Sequence, residues 1–181
     1  HATSKGAECI VIDNMTYAAD KNRLNGYNYE LVIKDICDDI AWACKDAHYI
    51  VNFAAESHVD NSIKDGKPFV KTNVEGTYNM LEIARQIPSL KRFVQISTDE
   101  VYGDIKGSKP STEFDRLNPS SYYSATKAAA EMLVMAAGRT YDLPHIITRT
   151  CNNFGVDQHN EKFLPTIFNS IKNNIPIPIY G

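Results

Sequence analysis

Short apolar strands that alternate with helical segments constrain this sequence more than any other feature. Five apolar runs of strand length, each followed by polar residues, lie at 8–13, 29–33, 49–55, 92–97 and 145–148. Near-continuous runs of this length are typical of strands buried on both faces of a parallel sheet. Helices are predicted between them at 38–46, 68–87 and 121–141. The alternation predicts an α/β fold with a doubly wound parallel sheet and right-handed crossovers.

The helix predicted at 121–141 is rich in alanine and contains no proline. Its apolar residues recur at spacings of three and four, which predicts a single buried face. That face would consist of Ala125, Ala129, Met132, Leu133 and Ala136.

Composition excludes several classes of protein. The 181 residues carry a net charge of −3 and no basic stripe, which argues against a nucleic-acid partner. No apolar run approaches the roughly 20 residues that cross a bilayer, so no membrane partner is expected. The four cysteines (Cys9, Cys37, Cys44 and Cys151) lack the spacing of a zinc site or a disulfide framework. We therefore expect a cytoplasmic globular protein without a metal site.

The glycine pattern departs from that of a complete dinucleotide-binding fold. The sequence contains no G-x-G-x-x-G, the phosphate-binding loop that follows the first strand of such a fold. Residues 1–6 have the pattern of a helix end with Gly6 as its cap, and no helix pattern closes the sequence at 176–181. We therefore expect a fragment that lacks the first strand, the glycine-rich loop and the end of the substrate domain.

Two acids follow predicted strands at positions where a ribose could bind. Asp13 ends the first strand, and an acid there would hydrogen-bond the adenosine ribose hydroxyls of NAD and repel the extra phosphate of NADP. Asp35 follows the second strand in the same way. The alternative for both is an acid in a solvated loop.

Tyr123 and Lys127 are separated by four residues at the start of the alanine-rich helix, so they share one helix face. A nearby ammonium favours the phenolate and lowers the pKa of the tyrosine, which would make Tyr123 a base for a hydroxyl proton. Tyr122 offers a second phenol on a different face. The alternative is an ordinary surface pair.

Thr98, Asp99 and Glu100 directly follow the fourth strand. Ligands of parallel sheets bind beyond the carboxyl ends of the strands, so this trio would face a crevice. Of two adjacent carboxyl groups, one could serve as an acid and the other as a base. The alternative is a polar turn that ends at Gly103. The proline-rich and serine-rich residues 103–120 form a long loop of the kind that often covers an active site.

Seven segments in order resemble one family. They are Ala-Ala-Glu-Ser-His-Val-Asp (54–60), Thr-Asn-Val-x-Gly-Thr (72–77), Ser-Thr-Asp-Glu-Val-Tyr-Gly (97–103), Tyr-Ser-Ala-Thr-Lys (123–127), Cys-Asn-Asn-Phe-Gly (151–155), Glu-Lys-Phe-Leu-Pro (161–165) and Pro-Ile-Tyr-Gly (178–181). The series resembles the extended short-chain dehydrogenases/reductases, and within them the nucleoside-diphosphate-glucose 4,6-dehydratases, above all those that act on dTDP-glucose. Thr-Asp-Glu is the most specific element, because related epimerases usually carry a Ser-Ser-Ala type sequence there and decarboxylases a Thr-Ser-Glu type.

The resemblance implies a reaction. Tyr123, assisted by Lys127, would take the proton of the glucose 4-hydroxyl while NAD receives hydride from C4. Glu100 would remove the C5 proton, Asp99 would protonate the departing 6-hydroxyl, and hydride would return to C6 to give a 4-keto-6-deoxy sugar. Thr98 would hydrogen-bond the sugar near its 4-oxygen. Members of the family are commonly homodimers that pair through two long helices, here 68–87 and 121–141.

The resemblance also implies two sets of contacts. The NAD contacts would be Asp13, Asn14, Met15, Thr16, Asp35, Ile36, Phe53, Ala54, Ala55, Glu56, Thr72, Tyr123, Lys127 and Asn153. The nucleotide-sugar contacts would be Ser57, Thr98, Asn152, Lys162, Phe163, Pro178, Ile179 and Tyr180. Residues 1–150 would then form a partial NAD-binding, Rossmann-like domain, and residues 151–181 the start of the nucleotide-sugar-binding region.

The sequence departs from the family pattern without losing a catalytic group. Asn14 and Met15 stand where the family often has Lys-Leu, Phe163 stands in place of leucine, and Tyr122 stands in place of proline. Two alternatives remain open at this point. One is another extended family member, an epimerase or a decarboxylase, and the other is a non-catalytic fragment that binds a nucleotide or a partner.

Overall fold

Five parallel strands form two sheets in the computed structural model, which describes residues 1–104 and 109–178. Strand β1 (Ile10–Asp13) pairs with β2 (Glu30–Ile33). The second sheet has the order β3 (Tyr49–Asn52), β4 (Arg92–Thr98) and β5 (His145–Thr150). Each strand lies where an apolar run predicts one, and the predicted α/β fold class is confirmed.

The helices lie between the strands. Their bounds are α1 (Ala41–Cys44), α2 (Val59–Lys64), α3 (Lys67–Phe69), α4 (Thr77–Ala84), α5 (Tyr122–Tyr141) and α6 (Phe163–Lys172). A π-helical stretch, Val70–Gly76, joins α3 to α4, so one helix runs from residue 67 to residue 84, close to the prediction of 68–87. Three short 3-10 turns cover Thr3–Lys5, Lys21–Leu24 and Asp99–Tyr102.

Helices α2 and α6 are absent from the sequence prediction. Helix α2 has only six residues, with the polar sequence VDNSIK, and such a short polar segment has no helical periodicity to detect. Helix α6 contains Pro165, which indicates a helix end when it is read in isolation. The proline lies in the first turn, where its missing amide hydrogen costs no hydrogen bond.

A capping box starts α5. The Ser124 amide donates to Ser121 Oγ at 3.1 Å, and the Ser121 amide donates to Ser124 Oγ at 3.0 Å. This reciprocal pair satisfies two amide groups that would otherwise lack partners at the helix start. Ser121 is thus the N-cap of α5, and the helix begins at Tyr122.

The buried face of α5 differs from the prediction. Its buried residues are Ser124, Thr126, Lys127, Ala128, Ala130, Glu131, Val134 and Ala137. Ala125 and Ala136 are exposed, and Met132 is 48% exposed, so the predicted apolar face is wrong at these three positions. Ala129 is half-buried, and Leu133 packs against the core as predicted. Alanine gains little from burial, and apolar spacing therefore cannot position an alanine-rich helix when its polar side chains have buried partners.

Side chains from strands and helices meet in one core. Phe93 of β4 and Val134 of α5 are fully buried there, together with Ile40 before α1. Ile50 of β3 and Leu81 of α4 belong to the same cluster. This packing holds the first half of β4 against the middle of α5.

Contacts divide the chain into two compact units. The first contains His1–Asn14 and Asn28–Cys151, and the second contains Met15–Tyr27 together with the segment from Asn152 onward. The domain boundary after residue 150 stays a prediction, although the contacts group residues 15–27 with the later segment. In the part of the chain that the structure describes, no helix combines the length and hydropathy needed to cross a bilayer.

Candidate active site

A single turn after β4 holds the two predicted acids. The Glu100 amide donates to Thr98 Oγ1 at 3.2 Å, and the Thr98 hydroxyl donates to Asp99 Oδ1 at 3.3 Å. The turn ends where the Gly103 amide donates to the Glu100 carbonyl at 3.0 Å. Asp99 and Glu100 therefore lie at the carboxyl end of the middle strand of the second sheet, where ligands of parallel sheets bind.

Tyr123 lies beside this turn, in the first turn of α5. Its ring packs edge-on against Phe69, with 6.5 Å between the ring centroids, and its hydroxyl hydrogen-bonds Thr98. Burial raises the pKa of Tyr123, the charge of Glu100 raises it further, and the Thr98 hydrogen bond lowers it only in part. The predicted lowering of this pKa is therefore wrong for the chain by itself, because burial and the carboxylates outweigh any nearby ammonium.

The two neighbouring phenols are distinguished by their surroundings. Tyr122 is exposed, and its ring packs over Gly66, where an added Cβ would meet the ring at 3.0 Å. Tyr123 hydrogen-bonds Thr98, the residue that caps the turn with the two acids. The structure thus favours Tyr123 as the phenol of the site.

Lys127 lies one helical turn after Tyr123 and is only 4% exposed. Its ammonium donates to the Ile96 carbonyl of β4 at 2.5 Å. Burial lowers the pKa of Lys127 to about 8, and the charge of Glu131 opposes this effect. A buried lysine whose pKa is lowered in this way is a candidate for a functional site.

Asn73, which the sequence prediction omits, fixes the segment after β3. Its side chain accepts from the Glu56 amide at 2.9 Å and donates to the Glu56 carbonyl at 3.1 Å. It also donates to Thr126 Oγ1 of α5 at 3.0 Å. The predicted cofactor residues 53–56 are thereby held against the helix that carries Tyr123. The sequence signal that could have identified Asn73 is the motif Thr-Asn-Val, which places an amide side chain on an apolar helix face.

The remaining predicted contacts in this region are partly accessible. Ala54 and Ala55 are half-buried, whereas Phe53 and Ser57 are exposed. Thr72 lies half-buried in the π-helical stretch, a feature that is frequent at functional sites.

A second group of predicted contacts follows β1 and β2. Asp13 ends β1 and is exposed. Asp35 accepts from the Cys37 amide at 2.9 Å and from the Asn14 amide group at 3.5 Å. Burial alone would raise the pKa of Asp35, but these hydrogen bonds and the charge of Lys71 lower it overall. Asp35 is therefore held as a carboxylate, an acceptor for hydroxyl or amino groups.

The described donors and acceptors fit the predicted NAD. The carboxylates of Asp13 and Asp35 suit the hydroxyl groups of a ribose and disfavour a phosphate. Asn79 supports this region because its amide donates to the Ile36 carbonyl at 2.7 Å, which holds the buried Ile36 in place. The Ser97 hydroxyl is buried and has no partner among the described residues, so it remains available to a bound polar group.

A cleft of about 530 Å³ opens beside Asp99. Its walls come from the turn after β4, the end of β5 and residues 110–113 of the predicted covering loop, of which residues 105–108 lie outside the described residues. The Cys151 thiol hydrogen-bonds Asp99, and this contact raises the pKa of Cys151. Tyr102 and Arg149, two further lining residues, are also missing from the sequence prediction.

The second unit contains the other predicted contacts. The Tyr17 hydroxyl lies 3.2 Å from each carboxylate oxygen of Glu161, and the His159 ring packs edge-on against Tyr17. This contact joins the two segments of the unit. Tyr17 directly follows Thr16, a predicted NAD contact, and Glu161 directly precedes Lys162, a predicted nucleotide-sugar contact.

Other predicted residues of this unit are more open. The Asn153 carbonyl accepts from the Gln158 side chain at 3.0 Å, and Met15 has a left-handed backbone with φ of 53°. The exposed residues are Thr16, Asn152, Asn153, Phe163 and Pro178. The predicted contacts Ile179 and Tyr180 lie outside the described residues.

The structure brings the predicted catalytic residues together within the first unit. These residues are Thr98, Asp99, Glu100, Tyr123 and Lys127. Three contacts link them to β4 and its turn: Tyr123 with Thr98, Thr98 with Asp99, and Lys127 with Ile96. Their chemical roles stay predictions.

Known proteins resemble this chain along its whole length. A sequence profile of the NAD dependent epimerase/dehydratase family matches residues 1–181. The chain is 48% identical to the low-salt glycan biosynthesis protein Agl12 of Haloferax volcanii, over 95% of this chain and 57% of the relative. It is 43% identical to a dTDP-glucose 4,6-dehydratase of Haemophilus influenzae, over 95% of this chain and 56% of the relative.

A solved structure shows the same likeness. The dTDP-glucose 4,6-dehydratase DesIV of Streptomyces venezuelae, a double mutant with NAD and DAU bound, matches with a TM-score of 0.91 and 39% identity. The match covers 96% of this chain and 55% of that chain, so these 181 residues span little more than half the length of the relatives. The resemblance to 4,6-dehydratases and the NAD dependence of the family are confirmed. The chain belongs to the NAD dependent epimerase/dehydratase family.

Proposed function

We propose that the protein removes water from a nucleoside-diphosphate glucose, with dTDP-glucose as the first candidate, and yields the 4-keto-6-deoxy sugar. One observation carries the proposal: Thr98 hydrogen-bonds the Tyr123 hydroxyl, the Asp99 carboxyl group at 3.3 Å and the Glu100 amide at 3.2 Å, so three residues able to transfer protons meet around one side chain. Oxidation at C4 requires one base. Loss of water requires a further base and an acid, and the turn after β4 supplies that pair.

The residues divide the proton transfers among them. NAD, when bound, supplies the hydride chemistry of the reaction. Tyr123 takes the proton of the 4-hydroxyl, with Thr98 hydrogen-bonded beside it and the Lys127 ammonium in support of the phenolate. Glu100 takes the proton from C5, which the adjacent ketone makes acidic. Asp99 gives a proton to the 6-hydroxyl, which leaves as water.

The predicted binding residues complete the proposal. Asp13 and Asp35 would bind the adenosine part of NAD as hydrogen-bond acceptors. Lys162 and Phe163 would contact the nucleotide sugar, and Pro178 would lie near its base. The cleft beside Asp99 is large enough for part of a small ligand and supports a sugar site there.

The first experiment is mass spectrometry of the nucleotide sugar. The complete reading frame that contains this chain is incubated with NAD and dTDP-glucose. Loss of one water with all sugar carbons retained is the expected result. A product of unchanged mass that separates from dTDP-glucose by chromatography would indicate an epimerase. Loss of carbon dioxide in a parallel incubation with a nucleotide glucuronate would indicate a decarboxylase.

Substitutions in the site separate the two stages of the reaction. Asp99→Asn is expected to slow water loss by about 100-fold and to let reduced cofactor accumulate, whereas Tyr123→Phe prevents its formation. Asp104→Asn changes an exposed acid just beyond the turn and serves as the control. Equal slowing of both stages by both site variants would contradict the roles assigned here. A fully active Glu100→Gln variant would favour a binding fragment over an enzyme.

We also propose that the protein is a cytoplasmic homodimer. The long helix from residue 67 to residue 84 and α5 carry apolar side chains at their surface, among them Val70, Tyr78 and Met132. Two copies that pair through these helices would bury them.

A further inference from the structure

We propose that Glu131, Arg149 and Tyr102 form a positioning network that ties the two halves of the proposed active site together. The inference rests on the proposed function, because it concerns the placement of the acids that remove water. One half is α5, which carries Tyr123 and Lys127. The other half is the turn Asp99–Tyr102.

Glu131 anchors the network in α5. Its side chain is 0% exposed and lies one helical turn after Lys127. The Arg149 guanidinium donates to it through Nε at 3.1 and 3.0 Å and through Nη2 at 2.7 Å. Such forked pairing fixes the plane of the guanidinium as well as its distance.

Arg149 carries the connection onward to the turn. Its Nη1 donates to the Tyr102 hydroxyl at 2.8 Å, and its guanidinium carbon lies 5.1 Å from the centre of the Tyr102 ring. The same nitrogen donates to the Glu113 carbonyl at 3.2 Å. Tyr102 is the last residue of the turn, three positions after Asp99.

The location of the network favours positioning over stability. A buried ion pair is poor support for a fold, since apolar side chains of similar volume often stabilise a protein as well. Here the pair joins the helix that carries the phenol to β5, and the Arg149–Tyr102 hydrogen bond extends the connection to the turn that carries the acids. No other side-chain hydrogen bond described for Tyr102 would hold the end of that turn.

The two stages of the reaction depend on this network to different degrees. Tyr123 and Lys127 lie on α5 and Thr98 belongs to β4, so C4 oxidation depends less on the position of the turn. Water loss requires Asp99 and Glu100 at a fixed distance from the sugar that Tyr123 holds. Misplacement of a catalytic group by about 1 Å can reduce a rate by roughly 100-fold.

Tyr102→Phe in the complete reading frame tests the proposal, because it removes one hydrogen bond and keeps the ring. We expect water loss to slow by about tenfold and C4 oxidation to change by less than about twofold. Tyr141→Phe is the matched control. Tyr141 also contacts an arginine, because the guanidinium carbon of Arg85 lies 4.9 Å from the centre of its ring, but it lies at the far end of α5. Arg149→Lys keeps a charge beside Glu131 but lacks the forked donor, and should likewise slow water loss.

Hydrogen exchange gives a second readout that needs no turnover. The amide hydrogens of Glu100 and Gly103 should exchange several-fold faster in Tyr102→Phe than in the unaltered protein. Their exchange rates should not change in Tyr141→Phe. Uniform slowing of both reaction stages, or unchanged exchange in the turn, would overturn the proposal. If the unaltered protein loses no water from the sugar, the proposed function fails, and the exchange rates still decide whether the network holds the turn.

Discussion

Lys127 combines a functional position with an energetic cost. Its ammonium is buried, and burial lowers its pKa from the ordinary value of 10.5 to about 8. At neutral pH this lowered pKa reduces the unfolding free energy by roughly 3 kcal/mol, because the folded state must bury a charge that the unfolded state exposes to water. The residue therefore opposes folding at the pH where it serves the proposed reaction.

Lys127→Met is expected to stabilise the protein at pH 7 and to abolish C4 oxidation. The stability gain, at most roughly 3 kcal/mol, should shrink as the pH rises from 8 to 10.5. Over that range the unfolded lysine still binds a proton that the folded one has lost, so the unfolding free energy of the unaltered protein rises relative to the variant. Thermal unfolding of both proteins across this pH range measures the difference, and a gap that does not change with pH would contradict the prediction.

At the level of single residues, sequence spacing reveals partners within one element. The four-residue interval of Tyr123 and Lys127 and the adjacent acids after β4 are visible without a structure. Burial is not visible in a sequence, which is why the predicted lowering of the Tyr123 pKa was wrong. The pair Glu131 and Arg149 joins a helix to a strand across 18 positions, and nothing local marks such a contact.

The turn after β4 depends on the backbone of Gly103. This residue has φ of 72° and ψ of −160°, a region that is open almost only to glycine. A Cβ there would collide with the Asn118 carbonyl oxygen. The Asn118 amide in turn donates to the Val101 carbonyl at 2.9 Å, so the turn and the loop are locked together.

Gly103→Ala is expected to cost about 1–3 kcal/mol of stability and to impair water loss more than C4 oxidation. Gly26→Ala is the control, because Gly26 has φ of 85° but no atom within 4 Å of an added Cβ. Denaturant unfolding and the two stage-specific rates measure the effects. Equal losses in both variants would show that the collision with Asn118 is unimportant.

Elements were predictable from the sequence where packing and pattern agree. The apolar runs of the strands appear directly in the sequence, and Pro68 marks the start of the long helix. Burial of the strands on both faces is wrong for β3, where Tyr49 and Val51 are exposed. Helix α5 is the exception, because its buried face carries Lys127 and Glu131 while Met132 points outward. A hydrophobic pattern cannot indicate a face that is buried for electrostatic reasons.

On the scale of the whole molecule, the proposed dimer can be tested at its helices. Tyr78→Asp places a charge on the long helix, where Tyr78 is 56% exposed, and should weaken association at least tenfold. Trp42→Asp on α1 is the control, since Trp42 is 55% exposed and outside the proposed surface. Sedimentation of the complete reading frame measures both, and equal behaviour of the two variants would argue against pairing through these helices.

The division of the strands into two sheets affects how the chain behaves in solution. Within the described residues, β1 and β3 each pair on one side only, and Ile33 and Tyr49 expose apolar surface on these small sheets. Bare strand borders offer rows of amide and carbonyl groups to any extended chain nearby. An extended segment that pairs along either border would satisfy these groups, so the borders of β1 and β3 are open to further strand pairing.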